Sequence, residues 1–432
     1  MAEKTSKKKQ AAKTPLKPAK KTAGQTKAVA ARGKEKTGTA PKKPATGAKK
    51  SAQSKPTAKP PIKTLFFTGF PGFLGRNQVK QILTTEQNIR FRLLVQEQFL
   101  ENARTTAAAI QAELQLPAAD LFEFLVGDLT VDQFGLEDAV YRRLLAEVDE
   151  VWHLGAAYDL AIAEKIAWNV NVEGTRRVLD LCQEMKRLQK LVYFSTCYVS
   201  GLRTGLVLED ELDYGQGFKN HYESTKFEAE SLVRQRREQI PTVIIRPSIV
   251  IGDSRTGEAD KYDGPYFLLS TLADAEAQNL LAPFKKMRLP SLGKGDAYFH
   301  LVPVDYLVQA VVHIAGRPEA IGRTFQICDP DPLLVREFID LTYQHFGLGK
   351  TLGHLPMGMI KVALKMPKLG PLLAVPEEVL TYLEHHAIFD CRHTRELLKD
   401  SGIQCPPLAD YLGVLIDYLR GHLDKKGKFA KY

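Results

Sequence analysis

Tyr222 and Lys226 stand four residues apart in Tyr222-Glu223-Ser224-Thr225-Lys226. On a helix that spacing puts both side chains on one face. A phenol with a pKa of about 10 is a poor acid–base group at neutral pH, and an adjacent ammonium stabilises its anion. Upstream, Phe194-Ser195-Thr196-Cys197-Tyr198-Val199-Ser200-Gly201 supplies a hydroxyl at Thr196. The three groups together can hold a substrate oxygen while the tyrosine donates a proton to it. A Tyr and a Lys at this spacing are common by chance, and a tyrosine on an amphipathic helix is ordinarily a packing residue. The order of features along the chain gives this set its weight.

The first of those features is Thr68-Gly69-Phe70-Pro71-Gly72-Phe73-Leu74-Gly75, which follows a short apolar run at Thr64–Phe67. The first glycine permits a tight turn, the second lets backbone approach a pyrophosphate, and the third allows a helix to pack closely on a strand. The helix beginning at Phe73 then offers its free N–H groups to phosphate. A three-glycine pattern alone is weak. Between a strand and a helix it reads as a dinucleotide loop. After the next strand comes Leu94-Val95-Gln96-Glu97. An acidic residue there serves the ribose of NAD and a basic one the 2′-phosphate of NADP. Glu97 suits the first, Arg76 and Arg104 the second, and the residues leave the choice open.

These groups must be positioned by the elements between them. Further strands are expected at Ile89–Val95, Leu121–Val126, Glu150–Leu154, Lys190–Ser195 and Thr242–Arg246. Helical patterns at Leu136–Ala146, Ile166–Leu188 and Tyr222–Gln239 separate them. Strands alternating with helices of that length specify an α/β fold with a Rossmann-type, doubly wound parallel sheet. We divide the chain into a basic tail (1–62), a dinucleotide-binding domain (63–252) and a mixed C-terminal region (253–432). That last region is read as a smaller, mostly helical substrate lobe with elements returning to the core.

With these motifs in place, the stretch from Lys63 to Gly421 resembles the extended short-chain dehydrogenase/reductases. Gly127-Asp128-Leu129 is similar to that superfamily's adenine-side motif, so Asp128 and Leu129 are implied cofactor contacts. His153-Leu154-Gly155-Ala156-Ala157 is similar to its HxAA turn, with Gly155 where alanine is usual. Asn169-Val170-Asn171-Val172-Glu173-Gly174-Thr175 is similar to its NVxGT helix, whose Asn, here Asn171, supports the active site. The resemblance gives Thr196 the hydroxyl role, Tyr222 the acid–base role, and Lys226 the ribose-binding and pKa-lowering role. It puts Pro247 and Ile249, in Arg246-Pro247-Ser248-Ile249-Val250, near the nicotinamide. Within the superfamily the loop, Phe-Ser-Thr-x-Tyr-Val and Arg-Pro-Ser-Ile-Val are most similar to the fatty acyl-CoA reductase and thioester-reductase group. That implies NADP as cofactor, with NAD the alternative, and an acyl thioester or related lipid-like carbonyl as substrate. The group carries Leu-Val-Arg after the second strand; Gln96 stands in place of its arginine.

The net charge of +10 is unevenly spread. Residues 1–62 hold 18 Lys/Arg and 2 Asp/Glu, leaving 42 basic and 48 acidic residues for the rest. A segment of Lys, Ala, Thr and Pro without aromatics cannot offset its ordering entropy, and disorder is expected. It is a solvating tail or an arm making non-specific polyanion contacts. The five cysteines are scattered and odd in number, which suits reduced thiols in a cytoplasm. No apolar run follows the first lysines, and Leu355–Val375 is interrupted by Pro367, Pro371 and three lysines. Neither a secretory leader nor a transmembrane segment is expected.

In the C-terminal region, Lys261–Tyr266 reads as a loop over the site, and Asp305 as the cap of a helix running to Ala315. Met357, Met359, Ile360, Leu364, Met366, Leu369, Leu372 and Leu373 read as a packed helix pair, or else as an adaptable wall for an acyl chain. His385, His386, Asp390, Cys391 and His393 match no metal-site spacing, and no metal is assigned. The expectation is an NAD(P)H-dependent oxidoreductase. A nucleotide-sugar epimerase/dehydratase or a sterol-type alcohol dehydrogenase are alternatives on the same fold. A dinucleotide sensor with a polyanion-binding tail is a third, although a sensor has no need of the Thr/Tyr/Lys set.

Overall fold

Six short apolar runs, joined by a seventh from the C-terminal region, make one parallel sheet. In the computed structural model, residues 62–422 are described except 87, 118–119, 261–263 and 365–379. The basic tail up to residue 61, residues 261–263 of the 261–266 loop, and Met366, Leu369, Leu372 and Leu373 lie outside the described residues. Along the chain the strands are β1 (Lys63–Thr68), β2 (Ile89–Val95), β3 (Phe122–Val126), β4 (Glu150–His153), β5 (Lys190–Phe194), β6 (Gly205–Val207), β7 (Thr242–Pro247), β8 (Ile249–Ile251), β9 (Ser291–Leu292), β10 (Leu301–Pro303), β11 (Thr324–Ile327), β12 (His354–Leu355) and β13 (Ala387–Phe389). The main sheet runs β11-β7-β5-β4-β1-β2-β3. Every pairing in it is parallel.

Its strands are buried nearly throughout, because helices cover both faces. On one face lie α1 (Phe73–Thr85), α2 (Leu100–Glu113) and the later α8 (Val304–Ala315), around Phe67, Val79, Phe91 and Val311. On the other lie α3 (Asp138–Glu147), α5 (Gly174–Glu184) and α6 (His221–Arg236), around Phe66, Leu144, Leu179 and Val233. The short α4 (Glu164–Ala167) leads into α5. A separate core joins α7 (Tyr266–Ala277), α9 (Val335–His345) and the helix Leu408–Gly421 through Leu269, Phe338 and Leu415. An eight-residue α10 (Met357–Leu364) follows β12.

β1 is flanked by β2 on one side and β4 on the other, so the winding reverses there. A crevice opens at the carboxyl ends of strands at such a reversal. Two local differences from the sequence reading matter. The helix expected over Ile166–Leu188 begins at Glu164, passes through a π-turn at Trp168–Glu173 and ends at Glu184. Asp305 does not cap α8. It lies in the helix's first turn, where Oδ1 and Oδ2 accept hydrogen bonds from the Ser254 N–H (2.9 Å) and hydroxyl (2.7 Å), tying down the loop after β8.

Candidate active site

A single cavity of about 720 Å³ lies along the carboxyl ends of β1, β2, β4, β5 and β7. Gly69, Phe70, Pro71, Gly72, Phe73, Leu74 and Gly75 line it at the β1–α1 turn. Gln96, Asp128 and Leu129 line it at the ends of β2 and β3, and Thr196, Tyr222, Lys226, Pro247 and Ile249 on the far side. Asn171 stands behind this wall.

The glycine turn is shaped by close approaches. Gly69 has φ +96°, and a Cβ there would lie 2.8 Å from Gly155 N. A Cβ on Gly75 would run into the Gly69 carbonyl oxygen. Gly72 N–H closes the turn onto that same oxygen at 3.1 Å. A side chain at 75 would therefore push α1 away from the β1 turn, and one at 69 would drive that turn off the Leu154–Gly155 backbone after β4. The turn and the residues lining the cavity fit a nicotinamide dinucleotide.

Gly155, where alanine is usual, has a local cause. A Cβ there would sit 2.9 Å from Leu129 Cδ1 and 3.0 Å from Thr68 Oγ1. Leu129 occupies the space that a methyl group would take.

Behind the turn runs a hydrogen-bond chain whose direction can be deduced. Thr175 Oγ1 donates to the Asn171 carbonyl at 2.6 Å, so it must accept from His153 Nε2–H at 3.0 Å. The ring's other nitrogen, Nδ1, then accepts from the Thr68 hydroxyl at 2.7 Å, and Thr68 Oγ1 accepts from Gly155 N–H at 3.0 Å. Burial, followed by the nearby Lys226 charge, holds the imidazole neutral, with its pKa lowered to about 3. The Asn171 amide completes the scaffold. It accepts from Ala157 N–H (2.8 Å) and donates to Thr225 Oγ1 (3.0 Å), linking the β4 turn to α6. Asn171 lies in the π-turn, and such turns recur at functional sites. The sequence reading found Asn171 by its motif but assigned no role to His153, Thr68 or Thr175.

The α6 N-terminus is fixed by Asn220, whose side chain accepts from Glu223 N–H at 3.0 Å. The Tyr222 phenol lies within hydrogen-bonding reach of Thr196, and its ring meets Tyr158 edge to face at 5.1 Å. Burial and the Glu223 carboxylate push the phenol's pKa up, against the lowering that the sequence reading anticipated. The reason is geometric. Lys226 is turned toward the sheet, donating to the Phe194 carbonyl at 2.7 Å and to Tyr193 OH at 3.2 Å. Its own pKa falls to about 7 through burial, which Glu230 opposes.

At the ends of β2 and β3, Gln96 Nε2 donates to Asp128 Oδ2 at 2.7 Å. Asp128 Oδ1 also accepts from the Thr130 N–H and hydroxyl, both at 2.7 Å. Burial works against the charged carboxylate, but these donors prevail and hold its pKa below the usual range. Arg76 is drawn into ion pairs with Glu258 (2.9 Å) and Asp260, and Arg104 pairs with Glu101 on an exposed helix face. Neither arginine lines the cavity.

The remaining wall is apolar and aromatic. Tyr158, Leu160, Tyr198, Phe299, Tyr382 and Leu383 contribute to it. Tyr382 OH donates to the buried Glu223 at 2.7 Å, which latches the C-terminal region onto α6. No sequence motif marks Tyr382; only the folded chain brings it here.

Residues 67–311 match the family described as "Male sterility protein", an NAD-binding family. This chain belongs to that family. It is an oxidoreductase of the extended short-chain dehydrogenase/reductase type, in the fatty acyl-CoA reductase and thioester-reductase group. Fatty acyl-CoA reductase 1 of Arabidopsis thaliana is 24% identical over 366 residues, which cover 67% of this chain and 72% of that protein. The L-2-aminoadipate reductase large subunit of Penicillium chrysogenum is 28% identical over 279 residues, 60% of this chain but 19% of that longer protein. Among solved structures, the terminal R domain of the myxalamid PKS-NRPS pathway superposes with a TM-score of 0.68 at 26% identity. It covers 83% of this chain and 91% of that one. A UDP-glucuronic acid 4-epimerase from Bacillus cereus, at 19% identity and a TM-score of 0.57, shares the fold.

Proposed function

We propose that this family member reduces an acyl thioester of the fatty acyl-CoA kind, or a related lipid-like carbonyl, with a reduced nicotinamide dinucleotide. One observation carries the reading: Thr196, Tyr222 and Lys226 share a cavity with an apolar, aromatic wall. Such a wall suits an acyl chain and offers little to a nucleotide-sugar. The similarity to fatty acyl-CoA and aminoadipate reductases supports the same substrate class.

When bound, the dinucleotide would supply the hydride. The glycine turn would hold its phosphates, and Asp128 its adenine side. Lys226, which lines the same cavity, would bind the ribose. The Thr196 and Tyr222 hydroxyls hold the carbonyl oxygen, and Tyr222 gives its proton to it as hydride adds to the carbon; the resulting hemithioacetal then collapses, the C–S bond breaking and the thiol leaving with the hydroxyl proton. The aromatic wall keeps bulk water from the thioester carbon.

The resemblance favours NADP, but the adenosine end of this cavity favours NAD. Gln96 replaces the group's arginine, and its amide is already held by an ionised carboxylate. A 2′-phosphate placed there would meet Asp128's charge, and the cation acting on that carboxylate, Arg177, is already paired with Asp132. On this ground we propose NADH as the preferred donor. Five free cysteines accord with residence in a reducing cytoplasm.

The deciding experiment follows loss of reduced-nicotinamide absorbance with a long-chain acyl-CoA, a hydroxysteroid ketone and a UDP-sugar in parallel. Oxidation dependent on acyl-CoA and yielding aldehyde or alcohol supports the reading. Turnover with only the ketone or the sugar overturns the substrate class.

A further inference from the structure

Two surface segments far apart in sequence lie side by side, and neither contains a carboxylate. They are residues 279–295 and 346–361. β9 and β12 pair between them, Ser291 with His354 and Leu292 with Leu355. Lys286 N–H bonds the Gly347 carbonyl at 2.9 Å, Gly349 N–H the Met287 carbonyl at 2.8 Å, and Leu352 N–H the Leu289 carbonyl at 3.0 Å.

The joined strip presents large apolar side chains to solvent. Leu280 is 53% exposed, Phe284 43%, Met287 48%, Leu352 60% and Met359 61%. Lys285, Lys286, Arg288 and Lys350 are exposed among them. Among the described residues none of these four forms an ion pair. The Arg288 guanidinium donates to the Lys350 and Thr351 carbonyls, which keeps its charge at the surface. Isolated exposed apolar residues need no explanation, but a run of them set among unpaired cations does.

We propose that this strip is a docking surface for an anionic lipid bilayer. Protruding Leu, Phe and Met tips enter the headgroup–acyl boundary, while the cations meet lipid phosphate. A bilayer accommodates separate protruding tips, whereas a protein partner would need a shaped recess to receive them. The strip also adjoins the catalytic cavity. Met357, Ile360 and Leu380 form a buried cluster against which Leu292 and Leu383 pack, and Leu383 lines the cavity wall. A chain lifted from the bilayer at the strip would therefore meet the cavity's apolar side. The docking itself does not depend on the reaction assigned above.

The test uses the full chain, so that its basic tail is the same in every sample. Wild type and the triple variant Phe284→Ser/Met287→Ser/Leu352→Ser are floated with vesicles of phosphatidylcholine and phosphatidylglycerol, and with phosphatidylcholine alone, over a range of salt. Dinucleotide binding, measured by reduced-nicotinamide fluorescence, checks that the variant is folded. The expected result is binding of wild type to the anionic vesicles that persists at high salt, weakened roughly tenfold in the variant. Equal flotation of the two proteins at every salt concentration would leave only the tail as the binding element and would overturn the proposal. Absence of flotation would do the same. Capture of wild type but not variant by an acidic acyl-carrier protein, without vesicle binding, would reassign the strip to a protein partner.

Discussion

The Lys226 amine donates to the carbonyl oxygen of Phe194 at 2.7 Å, binding α6 to the strand end that precedes Thr196. A buried amine thus fixes the distance between the two elements that carry the Thr196 and Tyr222 hydroxyls.

Replacing Tyr222 with Phe removes the proton donor and leaves the packing against Tyr158. Turnover should fall by roughly a hundredfold or more. Dinucleotide affinity, read by fluorescence titration, should change little. Near-normal turnover would remove Tyr222 from the chemistry.

Lys226 also carries a stability cost with a definite sign. Its pKa is about 7 when folded and about 10.4 when unfolded. Between those values the unfolded chain holds more protons, so this group makes stability rise with pH. Its cost is full below pH 7. Lys226→Met should therefore melt higher than wild type at about pH 6, with the gap closing toward about pH 10, while catalysis is lost. A gap that does not change with pH would contradict the assignment.

The proposed preference for NADH rests on Gln96. Gln96→Arg should shift relative affinity toward NADPH by roughly tenfold, because a charge-assisted contact replaces a neutral amide beside a carboxylate. Equilibrium titrations with both nucleotides measure this without any substrate.

Gly155→Ala should destabilise the protein by about 1–3 kcal/mol through contact with Leu129 and Thr68. Leu129→Ala in the same chain should recover part of that loss. A double-mutant cycle in denaturant reads the coupling, expected at about 1 kcal/mol.

His153→Ala leaves the Thr68 hydroxyl without its acceptor and removes the donor to Thr175 Oγ1. The expected cost is about 2–4 kcal/mol of stability, measured by denaturant unfolding. A further loss of turnover is expected because the Asn171 carbonyl and Gly155 lose their common anchor. Full stability in this variant would show that the hydrogen-bond chain is dispensable.

Much of the architecture was legible because burial on both faces leaves long apolar runs between glycine and polar turns. Thus Ile89–Val95 was read with its observed ends, and the other five strands read from sequence differ by a residue or so at one or both ends. The glycine loop and the Tyr222–Lys226 spacing were legible for a similar reason: local geometry dictates residue type. The π-turn at Trp168–Glu173 was not, since its apolar pattern is that of an ordinary helix. Tyr382 and the direction of Lys226 were not legible either, because both depend on contacts between distant segments. Asp305 was misassigned as a cap, since the sequence does not reveal that Ser254 would be its partner.

One feature of the sheet bears on how the protein is made. β7 is completed by β11, and α1 is covered by α8, both supplied from the C-terminal region. A nascent chain emerging from the ribosome would have every glycine and catalytic residue of the dinucleotide site in hand, yet would show a bare strand edge and an uncovered apolar helix face. Such surfaces invite aggregation until they are paired. The nucleotide site therefore matures late in synthesis, and a chain cut between β8 and α8 should need chaperone protection rather than fold as a small independent binder.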